Sequence, residues 1–346
     1  MAAGQQGVTA AVTGPTGDLG IAIVSALERS RRVKRIVGMA RRPFDPKSQG
    51  WRKTEYRQGD VQDQASVRDA VRGADVVVHL AFTVLQASEA TRAINVDGSR
   101  NVFEAAVREG AERICYASSV AAYGFHDDNP AWLTEETPAR GTPEMPYSAH
   151  KAEVEAILAE TLLSTEHTNA WIFRPCIVAG PRADTFLRQI PYFQISERLP
   201  DPVARFLSGM PALKPVIPDV GPNFQLVHED DVASAFVAGA LGRGSPGPYN
   251  LAARGTLGMG DVADALGWYS FPLPDAALDA TAEVVARMPR VPSMASWIHA
   301  VRKPVLMRTT RAQKELGWRP KHTAKGTLKD MIDAYRSSRE GVSADD

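Results

Sequence analysis

Several features that would assign this chain to a specialised class are scarce or missing. Cysteine occurs only twice in 346 residues. Because Cys115 and Cys176 both lie in apolar runs, we expect reduced core thiols and no disulfide framework. No apolar run approaches the roughly 18 residues of a membrane-spanning helix. His79 stands alone in a predicted strand, without a second ligand at metal-binding spacing, so we interpret it as a core residue and expect no bound metal.

The chain also has no net charge, which argues against nucleic acid and anionic membranes as partners. The chain carries 40 basic and 40 acidic residues, so no global field attracts it to nucleic acid or to an anionic membrane. Its 44% hydrophobic and 23% charged residues are typical of a soluble globular protein. With 346 residues, we expect one large domain with a lobe, or two domains. The first predicted strand starts so near the N terminus that we expect no signal peptide and a cytoplasmic location.

The N-terminal segment combines a strand, a glycine-rich turn and a helix. Val8–Val12 is mostly apolar, and Gly14, Gly17 and Gly20 recur at every third position before a helical run. Such a turn presents backbone N–H groups and a helix dipole to a pyrophosphate, and glycine permits positive φ and close approach. The spacing is one residue longer than the usual dinucleotide fingerprint, so an ordinary glycine-rich turn is the competing interpretation. The predicted cofactor contacts here are Gly14, Thr16, Gly17, Asp18 and Leu19.

The end of the second predicted strand bears on the choice of cofactor. Ala40 stands where an acidic residue normally holds the adenosine ribose, and Arg41 and Arg42 follow it. Guanidinium groups bind a ribose phosphate through charge-assisted hydrogen bonds, which favours NADP, with NAD as the alternative. The competing interpretation is that both arginines are merely solvated. After the third predicted strand, Asp60 and Val61 are predicted beside the adenine, where Asp60 accepts a hydrogen bond from the amino group.

A second group of chemically active residues follows the fifth predicted strand. Strands and helices alternate along the chain, which predicts a parallel, doubly wound Rossmann-type sheet. Ser119 ends a strand at the carboxyl edge, where ligands bind in such sheets. Tyr147 and Lys151 are four residues apart in a predicted helix, so they share one face. A phenol assisted by an ammonium group can exchange a proton with a substrate oxygen while a nicotinamide exchanges hydride with the carbon.

The motifs together resemble the extended short-chain dehydrogenase/reductase superfamily, which includes the NAD(P)-dependent epimerase/dehydratase proteins. The resemblance covers nearly the whole chain and rests on Thr13–Gly20 (TGPTGDLG), Asn95–Ser99 (NVDGS), Ser118–Gly124 (SSVAAYG), Tyr147–Lys151 (YSAHK), Arg174–Pro181 (RPCIVAGP), Val227–Ala233 (VHEDDVA) and Thr309–Pro320. It implies an enzyme in which Ser119 is the catalytic serine, Tyr147 the acid/base and Lys151 its partner. It also implies cofactor contacts at Leu80, Ala81, Phe82, Asn95, Pro175, Ile177 and Val178, and it suggests a homodimer.

The resemblance further implies a division of the chain into two parts. Residues 1–180 form the dinucleotide-binding domain, and 223–252 return to its sheet. A smaller C-terminal substrate-binding lobe comprises 181–222 and 253–335, and we expect a disordered tail at 336–346. The segment 184–222 is dense in proline and apolar residues, so we expect part of it to line an apolar cleft.

Departures from the family pattern narrow the expected substrate. Sugar-nucleotide enzymes of this type usually carry an asparagine at the position of Ile177 and an arginine at that of Phe224, although Arg182 or Arg188 would serve instead. We therefore expect an NADP-dependent oxidoreductase acting on a hydroxyl or carbonyl of a small, fairly apolar molecule. Two alternatives stay open: a nucleotide-sugar epimerase or dehydratase that uses NAD, and a dinucleotide-sensing regulatory protein. The intact set of serine, tyrosine and lysine favours an enzyme.

Overall fold

The computed structural model describes residues 7–84, 88–183, 187, 215–219, 221–272, 303 and 305–342. Its strands are β1 (Val8–Thr13), β2 (Val33–Ala40), β3 (Thr54–Gln58), β4 (Val76–His79), β5 (Arg113–Ala117), β6 (Asn169–Pro175), β7 (Ile177–Ala179), β8 (Val216–Asp219), β9 (Leu226–His228), β10 (Gly247–Leu251) and β11 (Tyr269–Pro272). Its α-helices are α1 (Asp18–Arg29), α2 (Gln64–Val71), α3 (Glu89–Arg92), α4 (Gly98–Arg108), α5 (Pro146–Leu162), α6 (Glu229–Ala240), α7 (Met259–Leu266), α8 (Thr310–Glu315) and α9 (Ala324–Val342). A π-helical segment, Ala93–Asp97, joins α3 to α4, and short 3-10 turns cover Pro46–Gln49 and Val120–Tyr123.

A seven-stranded sheet organises the structure. Its strand order is β10-β6-β5-β4-β1-β2-β3, and every neighbouring pair is parallel. The order reverses direction on either side of the β1–β4 pair, and ligands bind outside the carboxyl ends of the strands at such a point. The predicted doubly wound, parallel Rossmann-type sheet is confirmed. The glycine-rich turn after β1 lies at this reversal.

The central strands are buried on both faces, and this explains their sequences. Ala10–Val12 of β1 and Val76–Val78 of β4 are fully buried. Continuous apolar runs, rather than alternating ones, are typical of parallel strands that helices cover on both sides. On one face, Phe103 of α4 and Ile157 of α5 pack into a core that includes Tyr116 of β5. This packing fixes the position of α5, which carries Tyr147 and Lys151.

The chain divides into two compact units. The first comprises the residues up to Cys176, Asp230–Leu251 and Met307–Arg319, and the second comprises Ile177–Glu229, Ala252–Leu306 and the chain from Pro320 onward. The first unit contains the seven-stranded sheet. It includes α8, which the sequence analysis placed in the lobe, and the Tyr249 hydroxyl of β10 donates to the carboxylate of Glu315 in this helix at 2.9 Å. The division into a cofactor domain (1–180, 223–252) and a substrate lobe (181–222, 253–335) stays a prediction.

The second unit has a hydrophobic core of its own. Two parallel strand pairs, β7 with β9 and β8 with β11, are present in its described part. Helix α9 contributes Leu328, Met331 and Tyr335 to the core, and their spacing gives the helix one apolar face. The expectation of a disordered tail at 336–346 is wrong as far as Val342, because α9 continues to that residue. Within the described residues, no helix is both long and apolar enough to cross a membrane.

Candidate active site

The glycine-rich turn between β1 and α1 has the backbone shape of a phosphate-binding turn. Gly14 has a φ of 73°, and a Cβ there would lie 2.9 Å from the backbone nitrogen of Ala81. A Cβ on Gly20 would lie 2.2 Å from the Gly14 carbonyl oxygen, so only glycine fits at either position. At Gly17 the nearest heavy atom to such a Cβ is 3.8 Å away, and α1 starts there without a side-chain cap. Open space in front of a helix N terminus fits a pyrophosphate.

The residues predicted around the adenosine lie at the carboxyl ends of β2 and β3. Arg41 and Arg42 directly follow β2, and both are exposed. Asp60 is partly buried, and its Oδ1 accepts a hydrogen bond from the Gln62 nitrogen at 3.0 Å, while Val61 is buried. Because β1, β2 and β3 are parallel neighbours, these residues share one sheet edge with the glycine-rich turn. Of the other predicted contacts, Thr16 lies in the turn itself, and Asp18 and Leu19 are the first two residues of α1.

Ser119 and Tyr147 are brought together by the tertiary structure. Ser119 ends the segment after β5, and its Oγ accepts a hydrogen bond from the Ala121 nitrogen at 3.2 Å. Tyr147 lies in the first turn of α5, which starts with Pro146. Burial raises the pKa of Tyr147, and a hydrogen bond with the Ser119 hydroxyl opposes this rise. A protonated phenol paired with a serine hydroxyl is suited to donating a proton to an oxygen held beside both groups.

Lys151 is buried one helical turn after Tyr147. Its Nζ donates to the Ala117 carbonyl at 2.6 Å and to the Tyr116 hydroxyl at 3.4 Å. The same Nζ lies 3.4 Å from the ring centroid of Phe82 and 5.7 Å from that of Tyr147. Burial lowers the pKa of Lys151 well below its usual value, and the charge of a nearby glutamate opposes the shift. The β5 carbonyl and the aromatic rings therefore hold the ammonium close to the phenol.

The segment that leaves β4 carries three further predicted cofactor residues, and Asn95 holds it in place. Leu80, Ala81 and Phe82 follow His79, the last residue of β4, directly, and the Phe82 ring packs edge-on against Tyr147 with centroids 5.7 Å apart. Asn95 is fully buried in the π-helical segment. Its Oδ1 accepts from the Thr83 nitrogen at 2.8 Å, and its Nδ2 donates to the Thr83 carbonyl at 2.9 Å. In the structure Asn95 therefore positions the backbone beside the site.

A buried ion pair behind the site was missed by the sequence interpretation. Glu155 of α5 accepts hydrogen bonds from the Arg174 Nε at 2.9 Å and from the Ser118 hydroxyl at 2.5 Å, and it also bonds Arg174 Nη2. The two charged side chains are only 7% and 6% exposed. Their pair joins α5 to β6 and to the end of β5. The signal in the sequence is the position of Glu155 four residues after Lys151, on the same face of a helix that packs on the sheet.

His79 is a core residue, as its sequence context predicts. Its Nδ1 lies 2.7 Å from the Thr13 hydroxyl, and its Nε2 lies 2.8 Å from the Ser99 hydroxyl. Since Ser99 donates to the Asn95 carbonyl, it must accept from Nε2–H, and Nδ1 therefore accepts from Thr13. Burial, with a smaller contribution from the charge of Lys151, lowers the pKa of His79 to about 3. The ring is a neutral connection between β1, β4 and α4.

The predicted contacts after β6 are divided between the two units. Pro175 ends β6 in the first unit, whereas Ile177 and Val178 lie in β7 of the second. Phe224 bridges to Leu257 and packs on the core of the second unit. The Arg182 guanidinium forms an ion pair with Glu229 at 2.9 Å, so it is already engaged and is a weaker substitute for a diphosphate-binding arginine. Arg188 and nearly all of 184–222 lie outside the described residues.

One group of possible metal ligands occurs in the described part of the second unit. Suitable atoms of His228, His322 and Asp330 all lie within 4.8 Å of one another. The two imidazole rings stack with centroids 3.8 Å apart and an interplanar angle of 18°. Imidazoles that share a metal direct their in-plane lone pairs to one point, which two nearly parallel stacked rings do not do. We assign no metal to this cluster, and the expectation of a metal-free protein stays a prediction.

Comparisons with known proteins agree with this geometry. The model of the NAD dependent epimerase/dehydratase family matches residues 10–252, more than half of the chain. The uncharacterised protein y4nG of Sinorhizobium fredii is 26% identical over 344 residues, which are 96% of this chain and 80% of that protein. The dTDP-glucose 4,6-dehydratase of Mycolicibacterium smegmatis is 28% identical over 294 residues, 81% of this chain and 78% of its own length. Sterol demethylase protein B of Methylococcus capsulatus is 30% identical over 181 residues, about half of each chain.

Solved structures show the same fold. The crystal structure of gox2253 matches with a TM-score of 0.69 at 26% identity and covers 96% of this chain and 98% of that one. The dTDP-glucose 4,6-dehydratase from Bacillus anthracis, solved in complex with NAD, matches with a TM-score of 0.70 at 19% identity and the same coverage. At 19% identity, the match to the Bacillus anthracis enzyme shows only that the two proteins share a fold. The family match over 10–252 and the shared fold lead to one conclusion: the chain belongs to the NAD dependent epimerase/dehydratase family of enzymes, as its motifs indicated.

Proposed function

We propose that this enzyme transfers hydride between a nicotinamide dinucleotide and a hydroxyl or carbonyl carbon of a small substrate. The observation that carries the proposal is the convergence of Tyr147 with Lys151, whose Nζ lies 5.7 Å from the Tyr147 ring centroid, and with Ser119, which opposes the rise in the pKa of the phenol. It lies at the sheet edge that also bears the glycine-rich turn. The fit to a dinucleotide is supported by the close backbone approach at Gly14 and Gly20 and by the uncapped start of α1.

The proton chemistry follows from the surroundings of the phenol. When bound, the dinucleotide supplies or accepts the hydride. Burial raises the pKa of Tyr147, so the phenol is protonated at neutral pH and can donate to an oxygen on which negative charge develops. Ser119 holds that oxygen by a hydrogen bond. In the reverse direction, Lys151 in its protonated form stabilises the phenolate by its charge.

Of the two nicotinamide dinucleotides, we propose NADP(H) rather than NAD(H) as the cofactor. Arg41 and Arg42 are exposed beside the end of β2, and within the described residues neither forms an ion pair. Ala40 presents no carboxylate that would repel a phosphate. We expect NADPH to bind at least about tenfold more tightly than NADH, a difference of roughly 1.4 kcal/mol. Equal affinities, or tighter binding of NADH, would contradict this assignment.

The substrate that we propose is fairly apolar. Ile177 and Phe224 put hydrocarbon at two positions where related sugar-nucleotide enzymes present an amide and a guanidinium, and the Arg182 guanidinium is paired with Glu229. An unpaired diphosphate would carry a desolvation penalty there, whereas buried apolar area favours binding at about 25 cal/mol per Å². The 30% identity of half the chain to a sterol demethylase protein points the same way. A nucleotide-sugar dehydratase or epimerase is the second candidate, supported by the 28% identity to a dTDP-glucose dehydratase.

Replacing Tyr147 by phenylalanine tests the proposal. The ring contact with Phe82 remains, so NADPH affinity should change little, while turnover should fall by about 10²- to 10⁴-fold, the usual range for general acid–base catalysis. Turnover is followed as NADPH oxidation with a panel of aryl and alicyclic ketones. Tyr269→Phe is the matched control, because this exposed tyrosine lies in the second unit.

The substrate panel also separates the candidates. Undiminished turnover in Tyr147→Phe would refute the proton-transfer role. Conversion of dTDP-glucose or a UDP-sugar, with no reaction of the ketones, would favour the second candidate. A protein that binds the dinucleotide and changes none of these substrates, in either direction, would favour the sensing alternative.

A further inference from the structure

The chain segment that bears the two arginines is held by side chains of the neighbouring strand. The Tyr56 hydroxyl donates to the Ala40 carbonyl at 2.8 Å and also contacts the Arg42 carbonyl. The Gln58 Nε2 donates to the Arg41 carbonyl at 2.9 Å. Three successive carbonyls at the end of β2 therefore contact polar side chains of β3: Arg41 accepts from Gln58, and the single hydroxyl hydrogen of Tyr56 serves the carbonyls of Ala40 and Arg42.

The register of the two strands explains this arrangement. In the parallel pair β2–β3, Ala40 is opposite Gln58, and Gly38 is opposite Tyr56. Positions 56 and 58 are two apart, so their side chains lie on the same face of the sheet. From position 56 the phenol extends along β2 as far as the Ala40 carbonyl, which lies 2.8 Å from its hydroxyl.

An aromatic contact holds the other end of the segment. The ring of Phe44 lies 5.7 Å from that of Tyr56 and 5.4 Å from that of Trp51, measured between centroids. Trp51 is buried, and its Nε1 donates to the Ser25 hydroxyl of α1 at 3.0 Å. The segment from Ala40 to Phe44 is thus fixed at both ends and bonded in between. Its two guanidinium groups remain exposed.

We infer that Tyr56 and Gln58 are positioning residues for cofactor specificity: they hold the backbone of Arg41 and Arg42 in the shape that presents both guanidinium groups to a ribose phosphate. This inference rests on the proposed binding of NADP(H). Ligand binding loses free energy when it must first order a flexible segment. If the segment bearing Arg41 and Arg42 is already ordered in the free protein, binding does not carry this entropic cost. The gain applies only to the ligand that the arginines contact. Loss of the tyrosine hydroxyl should therefore weaken NADPH and leave NADH nearly unaffected.

The test is a calorimetric titration of the full chain with NADPH, NADH, adenosine 2′,5′-bisphosphate and AMP. We expect Tyr56→Phe to weaken NADPH and the bisphosphate by about three- to tenfold, as for the loss of one hydrogen bond. NADH and AMP should change by less than about twofold, since neither has the phosphate. Gln58→Ala should act in the same direction and serves if Tyr56→Phe lowers the melting temperature. Tyr269→Phe is again the control for hydroxyl removal.

The outcomes separate the inference from the function on which it rests. Equal weakening of NADPH and NADH in both variants would show that the two side chains serve only the fold of the unit and would overturn the inference. Unchanged NADPH affinity in both variants would overturn it as well. A wild-type chain that binds both dinucleotides equally refutes the NADP assignment, and the inference falls with it. A fourth outcome is that the wild type prefers NADPH, that Arg41→Ala abolishes this preference, and that Tyr56→Phe and Gln58→Ala both retain it. That outcome would refute the positioning role and leave the NADP assignment intact.

Discussion

Replacing Glu155 by glutamine removes one charge of a buried ion pair and leaves the other charge in place. The carboxylate is the partner of the Arg174 guanidinium and of the Ser118 hydroxyl. The amide of glutamine keeps one acceptor oxygen but turns N–H donors towards a guanidinium that has only donors. Burial by itself lowers the pKa of Arg174, but the hydrogen bonds and the charge of Glu155 raise that pKa above its usual value. The variant therefore retains an arginine that stays charged in an unfavourable environment.

The expected loss follows from the burial of the pair. Both side chains are less than 10% exposed, and removing one partner of such a pair costs about 3–5 kcal/mol in the free energy of unfolding. Glu153→Gln is the matched control on the same helix. Its partner is Arg92, and these two side chains are 39% and 41% exposed. An exposed pair contributes about 0–1 kcal/mol, so the control should remain close to wild type.

Urea unfolding followed by circular dichroism measures both losses. A double-mutant cycle with Arg174→Met completes the experiment, because replacing both charges by neutral groups removes the stranded arginine. The double variant should be more stable than Glu155→Gln alone. A loss below about 1 kcal/mol in Glu155→Gln, or losses that simply add in the double variant, would refute the view that the pair is buried and mutually dependent.

Two further tests address the first unit. Gly20→Ala should disrupt the glycine-rich turn, lower the melting temperature and abolish dinucleotide binding, since its Cβ would lie 2.2 Å from the Gly14 carbonyl oxygen. In Gly17→Ala the nearest atom to the new Cβ is 3.8 Å away, so this variant should keep the wild-type melting temperature and lose only NADPH affinity. Similar melting temperatures for the two variants would contradict this expectation. His79 has a folded pKa of about 3 against 6.5 ordinarily, so the unfolded chain alone takes up a proton as the pH falls below 6.5. The free energy of unfolding should then fall by about 1.4 kcal/mol per pH unit from this group, and His79→Gln should show a correspondingly shallower pH dependence by urea unfolding.

Local features of the sequence determined the main elements of the first unit. The strand, glycine-rich turn and helix from Val8 onward are specified by residues close together in the chain, because glycine spacing and apolar runs act through neighbouring backbone. The shared helix face of Tyr147 and Lys151 follows from a separation of four residues. The alternation of strands and helices predicts the parallel sheet, since parallel neighbours require a crossover between them. The last helix was missed at 336–342, because that segment is polar and lies beyond the apolar positions Leu328, Met331 and Tyr335.

The partners of the site residues were decided only by the tertiary structure. Lys151 meets the Tyr116 hydroxyl across 35 positions of sequence, and Tyr56 meets the Ala40 carbonyl across 16. Periodicity reports which face of an element is apolar, but it does not report which side chain from another element lies opposite a given atom. That depends on strand order, register and helix packing, which the whole core sets together. For this reason the sequence predicted the serine, the tyrosine and the lysine, whereas the ion pair behind them and the hydrogen bonds that hold the arginine segment emerged only from the fold.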